Sequence, residues 1–271
     1  CSTCRVRFIS GFELLPQPSE SECRVLERIG NPAKVRLACQ TRPVSDVEIL
    51  PLLPPNASAS DGFRRPAYLQ GEEREIAILF ADLRDFTRFS EQKLPYDVVF
   101  VLNCYFAAMG EAVAAAGGHL DKFIGDGVMA LFGIHGSAVD GAREGLAAAA
   151  LMSRKLAELN QALASELYEP LRIGIGIHLG PAIIGEMGYG AATILTAVGD
   201  AVNTASRLEA MTKEYGAQLV VSDAVTEAAG IDLTSYPSHQ LDVRGRTQEI
   251  LARVIENAGE LPVSESGKLA I

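Results

Sequence analysis

The run Ile78 to Glu91 reads ILFADLRDFTRFSE, an apolar strand-like segment that ends on a carboxylate, Asp82, and passes at once into a polar turn. A second string, HLDKFIGDGVMALFG from His119 to Gly133, repeats the pattern with Asp126. Its Gly125-Asp126-Gly127 tip is a hairpin-turn sequence, because Asp and Gly tolerate positive φ. A third string, LTAVGDAVNTASRLEAM from Leu195 to Met211, reads as a helix opening at Asp200, in the N-cap place, and closed by Gly216. Asn203 and Arg207 lie at i and i+4 on it, so they project from one face.

Two carboxylates on adjacent strands can hold a pair of Mg²⁺ or Mn²⁺ ions about 3.5 to 4 Å apart, as a phosphoryl-transfer site requires. A guanidinium beside an amide suits charge that builds on a five-coordinate phosphorus. Spacing alone leaves blander readings open. An isolated Asp-Gly is also an ordinary turn residue bonding its own backbone, and Arg207 is also an ordinary surface arginine.

Around these strings the chain alternates strand and helix patterns. We read a strand at Glu75 to Leu83, a helix at Tyr96 to Ala116, a hairpin at Leu120 to Phe132 and a helix at Val139 to Ala164. A strand follows at Leu171 to Leu179, with a hairpin partner near Ile194 to Ala197, a helix at Asp200 to Tyr215, a short strand at Gln218 to Val221, a short helix and a closing hairpin at Leu241 to Val254. The pattern predicts an α+β sheet with helices on one face. Ahead of it the proline-rich stretch PLLPPNASASDGFRRPAYLQGE reads as a linker, and the end from 257 to 271 as a loose tail.

The three strings together resemble the class III nucleotidyl cyclases, over residues 73–256. The resemblance implies the ferredoxin-like cyclase sandwich and an adenylate cyclase that converts ATP to 3′,5′-cyclic AMP and pyrophosphate. By position, Asp82 and Asp126 would bind two metal ions with the carbonyl of Leu83 as a further ligand. Asn203 would orient the ribose, Arg207 would stabilise the transition state, and Arg246 in DVRGRTQ would contact the triphosphate. Lys122 and Thr196 would read the purine. A lysine can donate to adenine N1 and repels the N1–H of guanine. The threonine is similar to the bacterial and soluble subgroup often stimulated by bicarbonate, whereas guanylate cyclases tend to carry glutamate and cysteine at the two places. Asp85 departs from the family, which often has glycine there, and adds a negative charge near the phosphate-facing turn. Because both half-sets of residues occur in one chain, the resemblance implies a homodimer with two complete sites. Two alternatives remain, a catalytically silent nucleotide-binding module and an electron carrier.

The electron-carrier reading comes from the front of the chain, 1–54, separated by a linker at 55–72. Cys1, Cys4 and Cys39 resemble the latter part of a plant-type 2Fe–2S ferredoxin, a partial β-grasp domain, which needs four thiolates. The missing first cysteine would fall ahead of Cys1, so a cluster requires an upstream cysteine, and it would bring a redox partner. A zinc site is the other use of such a pair, with no second pair to complete it. Cys23 and Cys104 read as ordinary thiols, and a reducing cytoplasm is the expectation.

Composition narrows the field. At 271 residues and 48% hydrophobic the chain can bury one full-sized core and a smaller unit. Its formal net charge of −10 argues against a sequence-independent grip on nucleic acid. We find no apolar run of the roughly 18 residues that a membrane span needs, and expect no membrane contact from this segment. The chain opens on Cys1, which suggests a piece of a longer protein.

Overall fold

A computed structural model describes residues 4–28, 30, 33–52, 71–189, 192–241 and 250–263. The chain forms two compact units, Cys1–Gly71 and Glu72–Ile271.

In the first unit, β1 (Arg5–Ser10), α1 (Glu20–Arg28), β2 (Val35–Leu37) and β3 (Glu48–Pro51) build a three-stranded antiparallel sheet in the order β2-β1-β3. Glu22 on α1 receives both Nε and Nη2 of Arg36 at 2.8 Å, and the Leu37 backbone N–H at 2.8 Å. Both side chains of this fork are buried, so either one left alone would be an uncompensated charge.

The second unit runs β4 (Glu72–Leu83), α2 (Phe86–Glu91), α3 (Pro95–Ala115), β5 (His119–Ile124), β6 (Gly127–Phe132), α4 (Ala138–Ala162), β7 (Ile173–Tyr189), β8 (Ala192–Val198), α5 (Asp200–Glu214), β9 (Leu219–Ser222), α6 (Asp223–Ala229), β10 (Ser238–Leu241) and β11 (Ile250–Ile255). The sheet order is β10-β11-β9-β7-β4-β6-β5, and β8 pairs with the far half of β7. All pairs are antiparallel except β7 with β9.

Local sequence sets several of these boundaries. Pro95 sits at the start of α3, where its missing N–H costs nothing, and Gly117 ends the segment at φ 88°. Ser137 and Asp140 form a reciprocal capping box on α4, worth about 1 kcal/mol. Asp200 is the first residue of α5 and Gly199 its cap, one position off the expected N-cap.

The expectation of helices on one face is corrected. Ala77, Leu79, Ala81 and Leu83 of β4 face the core under α3, α4 and α6, whereas Ile76 and Ile78 face a second core beneath α5. IAILFA has no polar alternation, so both faces of the strand seek cover. Helix α3 is long and apolar enough to cross a membrane by length and composition, with a mean hydropathy of 1.7. Here it buries Val101, Tyr105, Met109, Ala112 and Val113 in the core.

Candidate active site

β4 delivers Asp82 at its C-terminal end, in register opposite Gly174 of β7. The two-residue turn Gly125-Asp126 joins β5 to β6, with Gly125 at φ 64°. The turn lies against the strand end: a Cβ on Gly127 would stand 3.3 Å from Asp82 Oδ1. Asp82 and Asp126 therefore face each other, and both line an open cavity of 580 Å³ with Leu83, Arg84, Arg88, Glu209 and Lys213. Burial, and next the charge and hydrogen bond of Asp126, push the Asp82 carboxyl up to about 6.

Glu209, from α5, is ion-paired with Arg84 at 3.1 Å. Burial pushes its carboxyl up to about 7; Arg84 opposes this, and the nearby aspartates add to it. Beneath lies Tyr105, fully buried, its hydroxyl without a hydrogen-bond partner among the described residues and its pKa raised by burial.

This donor set fits divalent cations. Two hard carboxylates converge on an open cavity, and their mutual repulsion is what a Mg²⁺ or Mn²⁺ ion relieves. Among the described residues no three His, Cys, Asp or Glu side chains converge on one point, so the remaining ligands must be backbone, water or phosphate oxygens.

Asp85 follows the strand end at φ 58°, left-handed backbone. Left-handed backbone favours glycine, and Asp is among the residues that tolerate it. Its extra charge meets Arg172 at 2.6 Å, so it does not face the cavity unpaired.

Lys122 on β5 and Thr196 on β8 come together: Lys122 Nζ donates to Thr196 Oγ1 at 2.9 Å. The sequence reading missed the third member, Asp121, whose Oδ2 accepts the Thr196 hydroxyl at 2.6 Å. A β-bulge between Leu120 and Lys122 leaves Asp121 without a partner on β6. Strict strand alternation would have sent Asp121 and Lys122 to opposite faces, and the bulge re-aims one of them.

Asn203 and Arg207 lie on α5 one turn apart, and neither side chain makes a hydrogen bond or ion pair among the described residues. They do not line the 580 Å³ cavity, and neither do Lys122 and Thr196. Glu209, two residues beyond Arg207, does. The structure thus brings Asp82, Leu83 and Asp126 together on one cavity and pairs Lys122 with Thr196, while Asn203 and Arg207 do not line that cavity. Arg246 and Cys1 lie outside the described residues. Cys4 and Cys39 do meet, Sγ to Sγ at 3.0 Å. Two thiols are half of a 2Fe–2S ligand set, so the described residues do not by themselves fit a cluster.

The family described as Adenylate and Guanylate cyclase catalytic domain matches residues 69–255. The chain belongs to that family. It is 39% identical over 157 residues to an adenylate cyclase of Anabaena cylindrica, covering 56% of this chain and 30% of that protein. It is 31% identical over 198 residues to adenylate cyclase 1 of Rhizobium meliloti (strain 1021), covering 73% of this chain and again 30% of the relative. The chain thus spans less than a third of the length of these curated relatives. Among solved structures, the guanylyl cyclase Cya2 matches with a TM-score of 0.64 at 35% identity, over 70% of this chain and 96% of that one. The adenylyl cyclase CyaB from P. aeruginosa matches at 0.61 and 25% identity, over 70% and 97%. The mixed α+β fold is that of a cyclase catalytic domain, and relatives of both purine specificities share it.

Proposed function

We propose that this domain is an adenylate cyclase that acts as a homodimer, turning ATP into 3′,5′-cyclic AMP and pyrophosphate. The observation that carries the reading is the facing pair Asp82 and Asp126 on an open cavity. These carboxylates would hold two divalent ions, which when bound supply charge neutralisation and a more acidic 3′-hydroxyl. The 3′-oxygen forms a bond to the α-phosphorus, the bond to the pyrophosphate oxygen breaks, and the hydroxyl proton leaves to solvent. Arg207 stabilises charge on the α-phosphoryl oxygens, Asn203 orients the ribose, and Arg246 contacts the triphosphate. Lys122 donates to adenine N1.

The dimer is supported by the separation within one protomer. Asp82 and Asp126 share a cavity that Lys122, Thr196, Asn203 and Arg207 do not line, and a second copy would bring the missing half. Thr196 aligns the domain with the threonine-bearing, bicarbonate-responsive subgroup, and stimulation by bicarbonate tests that assignment. For the front unit a ferredoxin-type origin rests on the resemblance of Cys1, Cys4 and Cys39 alone; a chain extended upstream that binds no iron under anaerobic reconstitution would remove this part.

Incubation of the purified chain with Mn²⁺ and either ATP or GTP, with chromatography of the products, tests the main reading. We expect cyclic AMP and pyrophosphate in equal amounts from ATP, little cyclic GMP, and loss of product in Asp82→Ala. Equal use of the two purines would contradict the adenine assignment, and a folded protein that makes no product would contradict the enzyme.

A further inference from the structure

We propose that Asp121 sets the hydrogen-bond polarity of the purine pocket: by taking the Thr196 proton it leaves that hydroxyl able only to accept, so the site selects a 6-amino purine and rejects a 6-oxo one. The inference rests on the adenylate cyclase reading and deepens it.

A hydroxyl has one proton to give and two lone pairs. Asp121 is an acceptor, ion-paired with Lys122 at 3.5 Å, so the proton of Thr196 goes to it. The 2.6 Å separation is that of an O–H···O⁻ bond. An ammonium can only donate, so the 2.9 Å contact from Lys122 uses one lone pair of Thr196 Oγ1. One lone pair is left. With Thr196 fixed as acceptor and a further N–H free on Lys122, a base meets a donor beside an acceptor. Adenine presents the complement, N1 accepting and the 6-amino group donating. Hypoxanthine and guanine present N1–H and a 6-oxo group, mismatched at both points.

Two features favour this over a packing role. The Asp121 side chain is 0% exposed, yet its Oδ1 is buried with no partner among the described residues, a cost that mere packing would shed. And the β-bulge that aims Asp121 at Thr196 interrupts the β5–β6 ladder, a distortion characteristic of positions next to functional sites. Asp121 touches no substrate in this account; it is a positioning residue that acts through Thr196.

The test compares kcat/KM for ATP, for purine riboside triphosphate, which lacks the 6-amino group, and for inosine triphosphate. For the intact protein we expect each step down that series to lose about tenfold, the worth of one hydrogen bond in a closed site. In Asp121→Asn, whose amide can donate to Thr196, the ATP to inosine triphosphate ratio should fall about tenfold with the melting temperature near that of the parent. In Thr196→Val the ratio should fall as well, and adding Asp121→Asn should then change it no further. An unchanged ratio in Asp121→Asn, or a further change in the Thr196→Val background, overturns the proposal. If the Asn variant fails to fold, the intact protein decides alone: equal use of ATP and purine riboside triphosphate refutes an acceptor at Thr196. No cyclic product from any nucleotide would instead refute the underlying enzyme reading.

Discussion

At the residue scale the site turns on carboxylates held close enough to disturb one another. An ordinary Asp titrates near 3.8, and Asp82 is pushed up to about 6. A cation binds the ionised form, so Mn²⁺ affinity should be full above about pH 7 and weaken as pH falls through about 6, by up to tenfold per unit; isothermal titration at pH 5, 6 and 7.5 measures this. The same shift acts on stability. The folded pKa lies above the unfolded one, so the native state holds its proton more tightly, and this contribution, full below about pH 4, is lost as pH rises through about 6. Asp82→Asn should therefore be inactive yet melt higher than the parent at pH 8, with the advantage shrinking toward pH 4. Asp82 and Asp126 were legible in the sequence because each stands in a short string where strand, turn and carboxylate coincide. Asp121 was not. Its role depends on a bulge, which adds one residue to a strand without leaving a mark in the alternation of side chains, and on a partner on another strand, Thr196. Glu209 was hidden for a similar reason, since only the packing of α5 on β7 and β4 turns it toward Arg84.

At the element scale, the placing of α5 depends on RIGIGIH in β7. A Cβ on Gly176 would collide with the Glu209 backbone nitrogen and approach the Ala205 carbonyl oxygen within 2.5 Å. Helix and strand backbones touch there, with no flexible side chain to yield. Gly176→Ala should cost on the order of 3 kcal/mol or more and displace Asn203 and Arg207 with their helix. Gly125→Ala makes the contrast. Its surroundings are open and its φ is 64°, so only the left-handed backbone is penalised, at about 1 kcal/mol. Chemical denaturation of both variants ranks the two effects. The order of strands and helices was readable from periodicity, but their faces were not: IAILFA is apolar throughout, and a run without alternation says only that a strand is covered, not by how many layers.

At the scale of the whole molecule, one chain carries Asp82, Asp126, Lys122, Thr196, Asn203 and Arg207, but only the two aspartates among them line the cavity. The Asp82–Asp126 pair opens on a cavity at the end of β4, which Asn203 and Arg207 on α5 do not line. In the symmetric dimer we propose, each site takes its carboxylates from one protomer and its arginine from the other. Asp126→Ala and Arg207→Ala, each inactive alone, then repair each other when mixed, because one site of every mixed dimer carries both lesions and the other carries none. The decisive measurement is cyclic AMP formation by an equal mixture of the two variants after subunit exchange. The shared-site account predicts recovery approaching about a quarter of the parent rate, since about half of randomly paired dimers are mixed and each has one sound site. A mixture that stays inactive, although subunit exchange is demonstrated, would contradict it.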